Sequence, residues 1–323
     1  MLLSFLTIVT VLTIAAFSSN IVRLEQKENS STASHPSVET KVVRDAFGDV
    51  EIPVHPQRVV VLDESGILDP VLALGIKPVG IMSCYGCHEK NRGIPNNLIA
   101  GIPDVGIAWQ PSLERILYLK PDLILSYDFH KKAYSQLSMI APTVAADFLA
   151  IGGFKDWLHF YANVFGKRKL ADQLLSHYEE RMQELRQQIE TKLRTKTISV
   201  IVPDASGNSF TIFNPNDVFP HLQMLRDAGL EFVQAQQDIE GRSLTLSIES
   251  LPNYDTDFLF IVVSVRPGEA ENLLSLSFLE QPIWSTLKAV QNRQVYAVEW
   301  DVAGLIGADR VIDDLYKYIV NTP

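Results

Sequence analysis

Cysteine occurs only twice in the 323 residues, at Cys84 and Cys87, so a cysteine-linked lipid near the N-terminus is not available to this sequence. Positive charge is scarce as well: 28 Lys and Arg stand against 38 Asp and Glu, for a net charge of −10. No basic stripe is present, which argues against a nucleic-acid partner. Catalytic signatures are missing too. There is no G-x-S-x-G elbow, no phosphate-binding P-loop and no H-E-x-x-H pair. The seven histidines are scattered: His159 and His177 fall in helical stretches, and His35 and His55 precede the core. A zinc or manganese site needs several ligands converging on one point, and only His130 is well placed for that. We expect no enzyme, no intrinsic cofactor and no bare-metal site.

Residues 1–22 lack charge altogether, and an apolar run extends from Leu2 to Phe17. That length suits the core of a signal peptide better than a spanning helix with flanking anchors. With no Lys or Arg ahead of the run, two outcomes stay open, a cleaved signal peptide and an N-terminal membrane anchor. Both export the chain, to a periplasmic location. Residues 23–41, rich in Ser, Glu and Lys, follow as a disordered tether.

Beyond the tether the composition, 46% hydrophobic and 20% charged overall, is that of a globular protein long enough for two cores. The most conspicuous stretch is Lys167–Leu193. Leu170, Leu174, Leu175, Tyr178, Met182, Leu185, Ile189 and Leu193 recur in steps of three and four, which lays one apolar stripe along a helix. Glu179, Glu180, Arg181, Glu184, Arg186 and Glu190 occupy the other face, and no Gly or Pro interrupts. No second helical stretch matches it in length, so it acts as a strut and not as half of a hairpin.

On either side of this strut the chain uses one grammar twice. Arg58–Leu62 is a buried-type strand, Ile67–Leu74 a helix stopped by Gly75, and Pro78–Ile81 a second strand. A helix opened by Pro111 and Ser112 and running through Leu119 precedes a strand at Asp122–Ser126. After the strut come a strand at Thr197–Val202, a helix at Phe219–Ala228 stopped by Gly229, and a strand at Leu230–Val233. Ser247–Leu251 then echoes the Ser112 segment, and Asp257–Val263 echoes Asp122–Leu125. Val295–Val298 is a late strand, and Arg310–Val320 a closing helix. The expected fold is α/β: two Rossmann-like lobes with parallel sheets, at 42–166 and 195–323, bridged by the helix at 167–194. Ligands of such folds bind outside the carboxyl ends of the strands. Asp63–Ser65, Tyr127–Lys131, Asp204–Phe210 and Arg266 are therefore the first candidates.

Four segments carry a family resemblance: RVVVLDESGILDPVLALGIKPVG, PSLERILYLKPDLIL, LSIESLPNYDTDFLFIV and QPIWSTLKAVQNRQVYAVEW. In this order the chain resembles, from about Val42 to Val320, the substrate-binding proteins of ABC importers for ferric siderophores, cobalamin and haem. The resemblance implies two lobes and one long helix, a ferric siderophore as cargo (with haem or cobalamin as the alternative) and an ABC permease as partner, the chain itself acting as a monomer. It also implies that Glu114 and Glu249, at matching repeat positions, dock on permease arginines. By itself, either Glu could merely complement a helix dipole. Trp300 matches a cleft tryptophan of hydroxamate binders, although an aromatic just past a strand could equally be core. Arg242 lies in a cleft-facing loop. Where hydroxamate binders carry an arginine, this chain has Ala108, followed by Trp109, and a hydroxamate assignment is weakened accordingly. Bulky, often anionic chelates call for aromatic faces and basic donors. Trp109, Tyr127, His130, Arg242, Arg266 and Trp300 are the ligand candidates, with Arg92 and Lys131 available beside them. Trp157 and Trp284 sit in amphipathic stretches and are assigned to the core.

Cys84-Tyr85-Gly86-Cys87-His88 matches the attachment motif of c-type haem, which would make an electron carrier of the chain. Cys84 and Cys87 could instead pair as a short-loop disulfide in an oxidising compartment, stay as thiols, or serve a metal or redox site.

Overall fold

The computed structural model describes residues 39–83, 93–107, 110–193, 196–204, 208–263 and 282–321. The N-terminal segment 1–38, the Cys84-x-x-Cys87-His88 motif, Arg92, Ala108, Trp109 and Arg266 lie outside the described residues. The first described element is a hairpin, β1 (Thr40–Asp45) and β2 (Gly48–Pro53). It is tied down at its turn, where Ala46 donates to the Ala145 carbonyl and Asp45 accepts from the Ala145 N–H.

The first lobe follows: β3 (Val59–Val61), α1 (Leu68–Ala73), β4 (Gly80–Ser83), β5 (Asp104–Ile107), β6 (Gln110–Pro111), α2 (Leu113–Tyr118), β7 (Leu123–Tyr127), α3 (Lys131–Ile140), β8 (Thr143–Ala146) and α4 (Phe154–Phe165). Its strands form one sheet in the order β6-β5-β4-β3-β7-β8, parallel except for β6. β3 and β7 are buried at every position, as parallel strands covered on both faces must be. Side chains alternate between faces: Val59 and Val61 enter one core, and Val60 enters the other.

Gly166, in the left-handed region at φ 66°, ends α4 and reverses the chain into α5 (Arg168–Leu193). The 26 residues of α5 span roughly 39 Å at 1.5 Å per residue. Its stripe is divided between two cores. Ala171 and Leu175 pack in the first lobe, whereas Tyr178, Met182, Leu185 and Ile189 pack in the second.

The second lobe comprises β9 (Ile198–Pro203), β10 (Ser209–Phe213), α6 (Pro220–Asp227), β11 (Ser243–Ser247), β12 (Phe258–Val262), β13 (Val295–Val298) and α7 (Leu305–Leu315). The sheet order is β11-β10-β9-β12-β13. Parallel pairing holds for β9, β12 and β13, as expected for the centre of the sheet, and β10 and β11 extend one edge in antiparallel pairing. Leu230–Val233 makes a single bridge, Phe232 to Ile198, and no strand. The chain turns into a one-turn helix at Gln234, which leaves no length for a ladder. The Ser247 segment is a 3-10 helix, Ile248–Tyr254, because Pro252 inside it lacks the N–H an α-helix needs. Its first-lobe counterpart α2 is α-helical, with Ser112 Oγ accepting from the Arg115 N–H at 3.4 Å.

α7 begins five residues before the Arg310 anticipated from the sequence, and its cap comes from the other lobe. Oδ1 of Asp69, on α1, accepts from the Ile306 N–H at 3.3 Å. A Cβ on Gly304 would stand 2.5 Å from that oxygen, so only glycine allows the approach. Asp69 is buried, its Oδ2 has no partner, and burial pushes its carboxyl from 3.8 up to about 7 against the lowering effect of the helix N–H groups. Between those values the folded protein holds a proton that the unfolded chain has released. Stability from this group therefore falls as pH rises from about 4 to about 7. Asp69→Asn removes the titration, so in urea unfolding the variant should gain on the wild type between pH 5 and pH 8. A stability difference that stays constant over that interval would refute the assignment.

Candidate functional site

Strands β3, β7 and β8 of the first lobe and β9, β12 and β13 of the second all end at one crevice, where a cavity of about 420 Å³ lies between the lobes. This is the place an open α/β sheet offers a ligand, and the volume suits a small molecule. The first lobe supplies Ser65 and Gly66 after β3, Tyr127 at the end of β7, Phe148 after β8, and Phe154 and Trp157 from α4. Val202, Phe213, Phe219, His221, Arg242, Val262 and the Trp300–Ala303 turn come from the second. Aromatic rings from both lobes meet across the cavity.

Tyr127 anchors the first-lobe wall. Phe148 and Trp157 meet it edge-on at 5.3 and 5.5 Å between centroids, and Phe129 lies tilted at 4.8 Å. Gly66 approaches so closely that a Cβ there would sit 2.4 Å from the Tyr127 hydroxyl. Beside it lies Asp63, whose Oδ2 accepts from the N–H groups of Ser65 (2.8 Å) and Ile67 (2.7 Å). Burial raises the Asp63 carboxyl despite these donors, and burial followed by the Asp63 charge raises the Tyr127 hydroxyl well above its ordinary value. The Tyr127 phenol therefore stays neutral, its hydroxyl bonded to Asp63 and its ring forming part of the wall.

On the opposite wall His221 is buried beside Phe219, ring centroids 6.2 Å apart, and burial lowers it to about 4, so its imidazole is neutral near pH 7. Arg242 is held by Asp217, Nε to Oδ2 and Nη2 to Oδ1, both at 3.0 Å, with its guanidinium 5.0 Å over the Phe219 ring. Trp300 closes the floor. Its ring is fully buried, tilted against Phe260 at 4.6 Å, and Nε1 donates to Asp314 Oδ2 at 2.9 Å.

Three sequence candidates thus meet at one cavity: Tyr127, Arg242 and Trp300, the last as core and floor together. His130 does not reach it. Its Nδ1 pairs with Ser126 Oγ at 2.9 Å beneath Phe129, and the 3-10 turn Asp128–His130 that follows β7 folds the ring inward. Lys131 is exposed at the start of α3. Trp284 is core as expected, and Trp157, half-buried, both packs against the first-lobe core and lines the cavity. Phe148, Phe213, Phe219 and His221 were missed. Phe219-Pro220-His221 carried a signal, since Pro220 opens α6 and puts its neighbours at a strand-to-helix connection. Glu114, in the first turn of α2, and Glu249, in the 3-10 helix, are both exposed. Among the described residues no group of three or more His, Cys, Asp or Glu side chains is arranged to hold a metal ion, and no helix is long and apolar enough to cross a membrane.

Residues 59–301 match the model of the periplasmic binding protein family. The chain belongs to that family. A probable siderophore-binding lipoprotein of Bacillus subtilis (strain 168), YfiY, is 33% identical over 306 residues, 91% of this chain and 92% of the relative. The achromobactin-binding periplasmic protein of Dickeya dadantii (strain 3937) is 33% identical over 272 residues, 81% of this chain and 86% of its own length. Among solved structures, Staphylococcus aureus SirA complexed with staphyloferrin B superposes with a TM-score of 0.70 at 28% identity, covering 86% of this chain and 98% of that one. The family is one of binding proteins, and two α/β lobes flanking a long helix suit that role.

The Trp300–Asp314 bond sets the cavity floor, and burial raises Asp314 to about 6. Asp314→Ala would strand a buried indole N–H, at a cost of about 1–3 kcal/mol in urea unfolding. Asp314→Asn keeps an acceptor oxygen and should recover most of that loss. Equal losses in the two variants would mean the bond does not hold the ring.

Proposed function

We propose that this protein is an exported receptor that binds a ferric siderophore between its lobes and hands it to an ABC permease, transforming nothing. The observation that carries the reading is the ring-rich cavity at the strand ends, where Arg242 and His221 lie among aromatic side chains. Broad π-faces and a few directed donors suit a bulky chelate, because large apolar contact supplies affinity and the donors fix orientation. The cargo named for YfiY, for the Dickeya protein and for the SirA complex points the same way. Haem and cobalamin are the alternative cargo, and a c-type haem at Cys84, Cys87 and His88 is the competing use of the chain. Periplasmic placement, release or anchoring by 1–22, and a monomeric state complete the proposal. So does the division into lobes at 42–166 and 195–323.

Titrating the mature protein with ferric siderophores, ferric citrate, haem and cobalamin, followed by Trp fluorescence, tests this. Quenching by a ferric chelate with Kd of about 1 μM or tighter is expected. A flat response to the whole panel would defeat the receptor reading, and a haem-only response would select the alternative.

Glu114 and Glu249, exposed on corresponding segments of the two lobes, are proposed to dock on permease arginines. Glu114→Ala and Glu249→Ala should keep cargo affinity and reduce uptake into cells, the double variant most. Loss of affinity in both single variants would sink the docking role.

A further inference from the structure

Arg242 is the one cation among the described residues that line the cavity, and its charge is already answered. Asp217, whose side chain is 11% exposed, takes Nε and Nη2 in a bidentate pair, while Nη1 has no protein partner among the described residues. The carboxylate is fixed in turn by its surroundings. Its Oδ1 also accepts from the Val218 N–H at 2.7 Å, and Arg226 Nη1 donates to the Asp217 carbonyl at 3.2 Å. Asn214 ties the same loop to the turn before Arg242: its Nδ2 donates to the Ile239 carbonyl, and its N–H to the Arg242 carbonyl at 3.0 Å. With Phe219 under the guanidinium and Asp217 on its Nε–Nη2 edge, Arg242 is fixed at the cavity wall although its side chain is 45% exposed.

We propose that Asp217 determines the charge selectivity of this cleft. By pairing with Arg242 it keeps directional N–H donors at the cavity while cancelling the positive charge behind them. A carboxylate paired behind a cavity-lining arginine opposes the approach of anionic chelates, and a bidentate partner fixes the donor plane in a way a lone arginine would not. The cleft then selects ferric chelates of low net charge, held by ring faces and hydrogen bonds, over polyanionic ones. This rests on the receptor reading, and no contact assigned from the family resemblance includes Asp217.

The test compares wild type, Asp217→Asn and Arg242→Ala, each verified as folded by circular dichroism and urea unfolding, using ferric citrate as the anionic probe and ferrichrome as the neutral one. Asp217→Asn keeps the shape of the pair and removes its negative charge. It should raise affinity for ferric citrate about tenfold at low salt, with the gain shrinking as salt is added and ferrichrome moving far less. Arg242→Ala should lower affinity for the anionic probe most. The inference is overturned if Asp217→Asn gains nothing for ferric citrate, or if it loses both probes in parallel with Arg242→Ala, which would make Asp217 a prop for the arginine and nothing more. Failure of the receptor reading looks different: no chelate of the panel quenches the wild type.

Discussion

One apolar stripe serving two cores is the constraint on which this structure depends. Ala171 and Leu175 sit in the first lobe, and Tyr178, Met182, Leu185 and Ile189 in the second, all on one face of α5. The helical repeat fixes the angle between those two sets. Each lobe is therefore clamped to the helix in a rotational setting that the spacing of side chains dictates. Further ties reinforce it from outside the helix. Phe154 of α4 packs in the second-lobe core edge-on to Tyr178, at 5.4 Å. Lys155 pairs with Asp227 at 3.0 Å, the carboxylate that also accepts from the Tyr178 hydroxyl at 2.9 Å. Asp69 caps α7 across the lobe boundary. A large hinge motion would have to break buried contacts at several of these points together.

That rigidity explains how the cleft is made. Strands covered on both faces have fixed ends, so Tyr127, Val262 and the Trp300 turn arrive at the crevice with little freedom left. Aromatic side chains lose few rotamers when they are held, and interlocked rings such as Tyr127 with Phe148 and Trp157 hold one another. Binding to walls already in place avoids the ordering cost that a flexible pocket would charge against affinity.

The sequence made the architecture legible because its signals are local. Continuous apolar runs gave β3 and β12, the three-four spacing gave α5 to within a residue of its start, and Gly75 and Gly229 marked helix ends. The departures have non-local causes. The start of α7 depends on Asp69, more than two hundred residues away in the chain, and Pro252 overrode a repeat that suggested an α-helix. The cleft was legible in part. Residues directly after strands, Tyr127 above all, follow from topology. Trp157 does not: its helix carries apolar residues that enter both lobes' cores and the cavity, and periodicity cannot say which neighbour each will meet. His130 shows the opposite error, since a post-strand position reaches a crevice only if the next turn leaves the side chain pointing outward.

Electrostatics give the cleft its character. A chain with net charge −10 repels anions at a distance, although at physiological salt that field decays over about 8 Å. Attraction to an anionic group must then come from donors at contact range. Three polar groups at the cavity wall carry no net charge of their own: His221 is neutral through burial, Tyr127 is a phenol that will not ionise, and Arg242 is answered by Asp217, while Asp301 adds a carboxylate beside Trp300. Unpaired charges in such an enclosed, ring-lined space would cost more in desolvation than they return. The same low dielectric strengthens whatever hydrogen bonds a bound molecule completes. The geometry of these donors and rings holds because α5 packs into both cores and fixes the two lobes in one setting.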